Sequence, residues 1–229
     1  MIQSTFPLRK IRSFVCRNGR MTDVQRDALA WLPRYELKRD HGLTDFSSHF
    51  QRHAPWIVEI GFGFGHSLLE MARTHPEQDF IGIEIHKPGI AALLAGIQAY
   101  QLTNLRLYQG DAVDIMEQCI ADDALTGVQI FFPDPWPKRR HHKRRLIQEP
   151  FIRLILRKLK QGGVLHLATD WKDYAQHMMD VVTPIEAFDN LAGMKNYSDR
   201  SSCRPIMTKF ERRGMRHGHV TWELQFKKR

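Results

Sequence analysis

The feature that most constrains the fold is an alternation of short apolar strands with helices, which begins at Trp56. Runs of this length and composition are typical of buried strands. Five of them are predicted, at 57–60, 79–85, 105–109, 128–132 and 164–168. Strands that alternate with helices need right-handed crossovers, which join neighbouring parallel strands. The sequence therefore predicts an α/β fold built on a doubly wound, mostly parallel sheet.

The two ends of the chain differ from this pattern. Residues 1–50 are rich in Lys and Arg and have poor periodicity, so we expect a basic, partly flexible arm with one short helix near 23–33. Residues 51–229 are predicted to form a single domain. Near the end, Val220, Trp222, Leu224 and Phe226 alternate with other residues, as in a strand with one buried face. We expect this strand to be antiparallel to the rest.

Composition limits the partners of the chain. Among 229 residues, 34 Lys and Arg outnumber 25 Asp and Glu and give a formal net charge of +9, which favours polyanions. Cys16, Cys119 and Cys203 are too scattered for a disulfide framework or a zinc site. The first residues lack the apolar run of a signal peptide, and no segment reaches the length of a membrane span. We expect a soluble cytoplasmic protein.

The stretch from Phe131 to Arg145 joins a strand end to a polycation. Pro133, Pro135 and Pro137 end the strand, because proline cannot donate to a sheet ladder. Asp134 and Trp136 are thereby fixed at the carboxyl end of a strand, where open α/β sheets bind ligands. An uninterrupted run of Lys, Arg and His follows, from Lys138 to Arg145. A rigid acid beside a polycation suggests chemistry on nucleic acid, although a solvated basic face would give the same run.

Acidic residues recur at the same predicted edge of the sheet. Gly61, Gly63 and Gly65 follow the first strand and would let the backbone approach a ligand at a helix start. Glu84, at the end of the second strand, could accept both hydroxyls of an adenosine ribose. One member, Asp111, could equally cap the next helix. The full set of carboxylates at this edge is Glu59, Glu84, Asp111, Asp134 and Asp170.

Three functions compete for such a site. A nicotinamide oxidoreductase would need Gly-x-Gly-x-x-Gly, from which the glycine loop departs, and a clear hydride-handling residue. A non-catalytic RNA-binding module would not be expected to keep clustered carboxylates, which repel RNA and each other. A methyltransferase that uses S-adenosylmethionine accounts for both the acids and the basic run.

The motifs resemble those of the bacterial tRNA (guanine-N7-)-methyltransferases. The resemblance covers nearly the whole chain, and Phe131-Phe-Pro-Asp-Pro-Trp136 and Thr208-Lys-Phe-Glu211 are its most specific motifs. The others are Ile11-Arg-Ser-Phe-Val15, Glu59-Ile-Gly-Phe-Gly63, Lys143-Arg-Arg145 and Ala168-Thr-Asp-Trp171. The resemblance implies a Rossmann-like class I methyltransferase that methylates N7 of a guanine in the variable loop of tRNA, at position 46. It implies tRNA and S-adenosylmethionine as substrates, with no metal and no obligatory protein partner.

The resemblance also implies residue roles. Asp134 would be catalytic and would contact S-adenosylmethionine. The other cofactor contacts would be Glu59, Gly61, Gly63, Gly65, Glu84 and Asp111. The substrate contacts would be Lys138, Asp170, Thr208, Lys209, Phe210 and Glu211. The RNA-contacting run would be Arg140, His141, His142, Lys143, Arg144 and Arg145.

Several alternatives to these roles stay open. Asp134-Pro-Trp136 is similar to the Asn/Asp-Pro-Pro-Tyr corner of enzymes that methylate exocyclic amines, although a second proline is missing. Trp136 could close the core or stack on a base. His141 and His142 lack further ligands at metal spacing and would extend the cationic face. Without the resemblance, the alternating charges of 209–213 would be interpreted as a solvated segment.

Overall fold

The computed structural model describes residues 13–14, 20–39, 42–200 and 220–229. They contain a seven-stranded sheet in the order β3-β2-β1-β4-β5-β7-β6. The strands are β1 Trp56–Ile60, β2 Asp79–Glu84, β3 Leu105–Gln109, β4 Leu125–Phe131, β5 Leu159–Thr169, β6 Phe188–Asn190 and β7 Trp222–Lys228.

The sheet is doubly wound, as predicted. Strands β1 to β5 pair in parallel, and only β7 and β6 run antiparallel to their neighbours within the described ranges. From β1 the chain goes outward through β2 to β3, and then returns to the other side of β1 for β4. The strand order therefore reverses between β1 and β4, which is where this class of sheet opens a crevice at its carboxyl edge.

The helices cover both faces of the sheet. They are α1 Asp23–Ala28, α2 Leu32–Tyr35, α3 Phe46–Phe50, α4 His66–Thr74, α5 Lys87–Tyr100, α6 Ala112–Gln118, α7 Glu149–Lys158 and α8 Lys172–Val182, with 3₁₀ turns at Leu29–Trp31 and Arg139–Arg144. On one face, α6, α7 and α8 pack against residues such as Val58, Val128 and Leu165. On the other face, α4 and α5 pack against Phe80 and Leu105.

The amino-terminal segment is more closely integrated than the predicted arm. Gln25 of α1 donates through Nε2 to the Pro88 carbonyl at the start of α5. The backbone of Leu37 donates to the Leu107 carbonyl of β3 at 2.8 Å, and Phe46 of α3 packs edge-on against Trp56. The segments 23–39 and 42–50 thus belong to the folded unit, which begins well before the predicted boundary at residue 51. Residues 1–12 lie outside the described residues.

Three elements differ from the predictions. The helix predicted near 23–33 is broken into α1, a 3₁₀ turn and α2. Strand β5 begins five residues before the predicted 164, across a register shift opposite Leu125 and Gly127. In β7, Glu223 is buried as well as the alternating Leu224 and Phe226, because His166 of β5 pairs with it.

No helix within the described ranges is both long and apolar enough to cross a membrane.

Candidate active site

A cleft of about 500 Å³ opens at the carboxyl ends of β1, β2 and β4. Its walls bring together three of the sequence-predicted site residues, Gly61, Glu84 and Asp134. Ser13 and Phe14 of the amino-terminal segment also line it, as do His86 and Trp136. This is the position that the strand order predicts for a ligand, and the volume suits a small organic molecule.

The corner that carries Asp134 has an unusual backbone. Phe132 and Trp136 adopt the left-handed conformation, with φ of 51° and 44°. This conformation is uncommon for bulky residues and is found where surrounding structure enforces it. Phe132 is held by a hydrogen bond of 2.8 Å from its nitrogen to the Ala168 carbonyl of β5. Two strained residues thus bracket Pro133-Asp134-Pro135 and turn the exposed Asp134 toward the cleft.

Glu84 joins the glycine loop to the turn after β2. Its Oε2 accepts a hydrogen bond from the Gly63 nitrogen at 2.9 Å. Its Oε1 accepts from the nitrogens of Ile85 and His86 at 2.7 and 3.0 Å. Charge-assisted bonds of this kind are the stronger class of hydrogen bond. A carboxylate has about four acceptor positions, so Glu84 can hold the loop and still accept from a ligand.

Glycine is required at positions 61 and 65 of the loop for different structural reasons. Gly61 has φ of +73°, and open space lies in front of it where a side chain would otherwise stand. Gly65 also has positive φ, but a Cβ there would lie 2.5 Å from Leu93 Cδ1 of α5. Gly61 therefore leaves room on the cleft side, whereas Gly65 lets α4 and α5 pack closely.

Four other sequence-predicted residues, Glu59, Asp111, Lys138 and Asp170, do not line the cleft. Glu59 is buried within β1, two residues before Gly61. Asp111 caps α6 through a 3.0 Å bond from the Val113 nitrogen and lines the two neighbouring cavities. Asp170 follows β5, and Lys138 precedes the 3₁₀ turn on the surface. Asp111 thus has the capping role that the sequence left open. Because it also lines these cavities, the capping bond is compatible with a ligand contact.

Comparison with known proteins identifies the family. The profile of a putative methyltransferase family matches residues 53–224. The tRNA (guanine-N(7)-)-methyltransferase of Alcanivorax borkumensis is 53% identical over 97% of this chain and 93% of its own length. The enzyme of the same name from Stutzerimonas stutzeri is 52% identical over 99% and 95%.

The chain belongs to the tRNA (guanine-N(7)-)-methyltransferase family.

Solved structures of more distant proteins share the fold of this methyltransferase. The 16S rRNA methyltransferase KamB superposes with a TM-score of 0.57 at 14% identity, over 81% of this chain and 94% of its own. The aminoglycoside resistance methyltransferase NpmB1 gives 0.52 at 14% identity, over 84% and 94%. The predicted Rossmann-like class I methyltransferase fold is confirmed.

The basic run of the methyltransferase forms a 3₁₀ turn beside the cleft, Arg139–Arg144, which we call the basic turn. Arg140 and Lys143 are exposed on it. Partial desolvation, together with Arg140 and Arg144, lowers the pKa of His141. His142 is tied into the turn, since its carbonyl accepts from Gln148 Nε2 at 3.1 Å. The lowered pKa of His141 favours its uncharged form at neutral pH, so the Lys and Arg side chains beside it supply the charge there.

Arg145 departs from its predicted role. Its side chain is 1% exposed, and its guanidinium donates to the Pro135 carbonyl at 2.9 Å and pairs with Asp173. The same group lies 4.8 Å from the centre of the Tyr174 ring. These contacts leave no accessible surface for a phosphate. Arg145 instead connects the Asp134 corner to α8, and its assignment as an RNA contact is corrected.

Trp136 has its own set of contacts. The guanidinium of Arg144 lies over the ring at 3.8 Å, and the His141 ring meets it edge-on at 5.9 Å. Its indole nitrogen donates to the Ser13 carbonyl at 3.1 Å. One ring face is therefore covered by a cation. Trp136 links the basic turn, the cleft wall and the amino-terminal segment.

A buried polar row behind the cleft was not foreseen from the sequence. Gln129 of β4 lies beside Glu59 of β1 on one side and beside His166 of β5 on the other. His166 Nε2 lies 2.8 Å from Glu223 Oε2, and its ring meets Phe131 edge-on at 4.9 Å. A single polar residue inside an apolar run, as in Val128-Gln129-Ile130 and Leu165-His166-Leu167, is the signal that could have found it.

The motif Thr208, Lys209, Phe210 and Glu211 lies outside the described residues. In the ranges that the structure describes, no group of three or more His, Cys, Asp or Glu side chains could hold a metal ion.

Proposed function

We propose that this protein transfers a methyl group from S-adenosylmethionine to N7 of a guanine in the variable loop of tRNA. The observation that carries the proposal is the position of Asp134, a fixed carboxylate on the wall of a ligand-sized cleft, directly beside the basic turn. Membership of the tRNA (guanine-N(7)-)-methyltransferase family supports the same reaction.

The cleft has features that suit S-adenosylmethionine. Open space in front of Gly61 accommodates a ligand close to the backbone. Glu84 supplies carboxylate oxygens for ribose hydroxyls, and Asp111 lies on the side proposed for adenine. Glu59 would act from beneath the glycine loop, in which Gly61 lines the cleft and Gly63 is held by Glu84. When bound, S-adenosylmethionine supplies an electrophilic methyl group on a positively charged sulfur.

Asp134 is proposed to orient the guanine and to stabilise the charge that develops on it. Guanine N7 carries a lone pair and no proton, so the reaction needs no general base. The purine gains positive charge as it is methylated, and a preorganised carboxylate favours that change. The left-handed backbone conformations of Phe132 and Trp136 hold the carboxylate in place before the substrate arrives.

Other side chains would contact the RNA. Lys138, Asp170 and residues 208–211 would bind the target nucleotide, while Arg140, Lys143 and Arg144 would bind phosphates. We propose a cytoplasmic location, and activity without an obligatory protein partner.

The test uses the lability of 7-methylguanosine to borohydride and aniline. The purified protein is incubated with unmodified tRNA, with and without S-adenosylmethionine, and the treated RNA is examined for strand cleavage. Cleavage within the variable loop that requires both protein and methyl donor is the expected result. Methyl incorporation without such cleavage would indicate an exocyclic amine or another atom and would overturn the proposal.

A further inference from the structure

We propose that the groove between α6 and α7 binds the RNA strand that flanks the target guanosine. This inference rests on the proposed function and adds a second binding surface to it. The groove encloses about 790 Å³, more than the cleft itself. None of the residue roles given above involves its α7 wall.

The groove is continuous with the cleft. Ser13 and Leu146 line both cavities, and Asp111 lies where the groove meets the start of α6. A polynucleotide whose target base enters the cleft therefore has a direct path into the groove. A neighbouring stretch of the same strand is the occupant that this continuity favours.

The groove has an apolar floor and a cationic wall. Leu156 of α7 contributes partly exposed apolar surface, whereas Phe151 and Leu154 of the same wall are buried. Arg153 and Arg157 are exposed on the same helix, and Lys143 and Arg144 extend the cations to the basic turn. A positively charged groove that follows the backbone is typical of sites for single-stranded nucleic acid.

The positions of the cations on α7 define a path for the RNA strand. Arg153 and Arg157 are four residues apart and lie on one side of α7, about 6 Å apart along the helix axis. Since α7 connects the carboxyl end of β4 to the start of β5, Arg157 lies farther from the carboxyl edge of the sheet than Arg153. Arg153 also pairs with Glu149 at 2.8 Å, an exposed contact that competes little with phosphate.

The opposite wall has the opposite charge. Glu117 and Asp111 belong to the α6 side of the groove. Phosphates would be repelled there, whereas the amino groups of bases could donate to Glu117, because Asp111 is assigned to the adenine side of the cofactor site. The phosphates are therefore placed along α7, and the bases face α6.

The decisive experiment compares the double variant Arg153→Ala/Arg157→Ala with wild type in tRNA binding across a salt series. Removal of two phosphate-binding cations should lower the slope of log K against log salt by about 0.7–0.9 for each of them. Over about 50 to 200 mM salt, the affinity of the variant should then fall about tenfold less than that of wild type. KM for tRNA should rise, while kcat at saturating tRNA and the affinity for S-adenosylmethionine stay unchanged.

Two controls isolate the groove. Lys160→Ala removes an exposed cation just beyond α7 that does not line the groove, and it should leave the slope unchanged. Arg153→Lys/Arg157→Lys retains the charge and should keep most of the slope. A benzophenone amino acid at Leu156 should cross-link to nucleotides within a few positions of the methylated guanine.

The outcomes separate this inference from the proposed function. A wild-type slope and KM in the double alanine variant, with normal N7 methylation, would contradict RNA binding in the groove and leave the proposed reaction intact. A cross-link far from the target guanine would overturn it as well. A dimer in wild-type protein that the double variant disrupts, with no change in slope, would make the groove a self-association surface. Failure of wild-type protein to methylate N7 would instead remove the proposed function.

Discussion

Asp134 owes its position to its neighbours. It is exposed, and the residues on either side of the Pro-Asp-Pro sequence hold left-handed backbone angles. Each such residue costs about 1–3 kcal/mol relative to a relaxed backbone. That energy is retained in a folded protein only where packing and hydrogen bonds enforce it. The carboxylate is thus preorganised, as electrostatic catalysis requires.

We predict that Asp134→Asn lowers the methylation rate by at least about a hundredfold, the scale of removing one preorganised electrostatic interaction. The amide keeps the shape of the side chain but removes the negative charge that favours a cationic purine. Single-turnover methylation at saturating tRNA and S-adenosylmethionine measures the effect. The thermal midpoint and the affinity for tRNA should stay close to wild type.

Asp180→Asn is a suitable control, because Asp180 is an exposed carboxylate on α8 that accepts a local bond from Gln176 at 2.9 Å. Its methylation rate should be unchanged. A near wild-type rate in Asp134→Asn would assign that carboxylate to the scaffold.

Glu84 is predicted to support S-adenosylmethionine binding in two ways, by holding the glycine loop and by contacting the ligand. Glu84→Gln should weaken S-adenosylmethionine binding by about 1–3 kcal/mol, the range for removing a hydrogen bond to a charged group. The amide also turns an NH₂ group toward one of the backbone nitrogens from which Glu84 now accepts. Isothermal calorimetry on the folded variant gives the affinity.

Glu70→Gln provides the comparison, since Glu70 is on α4 and its carboxylate pairs with Arg73 of the same helix. Its affinity for S-adenosylmethionine should match wild type. Equal affinities for both variants would exclude Glu84 from the site.

The basic turn and Arg145, which follows it, have different structural roles, although they form one uninterrupted basic run in the sequence. Arg140, Lys143 and Arg144 face the surface or the rim of the cleft, whereas Arg145 is buried against Pro135 and Tyr174. Burial of a guanidinium is tolerated where its hydrogen bonds and charge are matched. Arg145 thus fixes the angle between the Asp134 corner and α8.

We predict that substitutions in the basic turn and at Arg145 have opposite effects on the salt dependence of tRNA binding and on stability. Arg140→Ala/Lys143→Ala/Arg144→Ala should lower the salt slope of tRNA binding by about 0.7–0.9 for each phosphate that is no longer bound. Arg145→Ala should keep the slope but destabilise the fold by about 1–3 kcal/mol, because the Pro135 carbonyl loses its donor. Binding titrations at several salt concentrations and urea unfolding distinguish them. A lower slope for Arg145→Ala with full stability would restore Arg145 as an RNA contact.

Periodicity was enough to predict the parallel strands, most helices and the edge of the sheet at which the cleft opens. Strand β3 and the Asp134 corner could be located because apolar runs and prolines act locally. Burial of Arg145 could not be predicted, because it depends on Asp173 and Tyr174, which are distant in sequence. The Trp136 contact with Ser13 depends on a segment 123 residues away. Such contacts arise from tertiary packing and have no local signal.

At the scale of the whole molecule, a histidine links α8 to the segment between the basic turn and α7. His177 Nε2 donates to the Ile147 carbonyl at 2.7 Å, and its ring lies beside Tyr174. Burial lowers the pKa of His177, and Arg145 and His142 lower it further, although the Ile147 bond and Asp173 act in the opposite sense. The unfolded chain therefore takes up this proton more readily than the folded one.

Stability should fall on acidification. A histidine with a lowered folded pKa binds more protons when unfolded, so the free energy of unfolding decreases as the pH falls through about 6.5. His177→Gln keeps a donor for Ile147 without a titrating group, and should flatten this dependence between about pH 7 and 5. Urea unfolding at both pH values measures it. An identical pH dependence in wild type and variant would assign it to other groups.

The antiparallel course of β7 separates two ends of the molecule. Its first residues pair with Ala168 and Thr169 at the cleft edge, whereas Lys227 pairs with Val164 at the opposite edge. Seven residues of strand span about 20 Å, so Arg229 lies far from the cleft and is tied to Ala187 and Asp189. A biotin or a fluorescent label attached at this end of β7 would therefore immobilise or report on the protein while leaving the cleft and the basic turn open to solution.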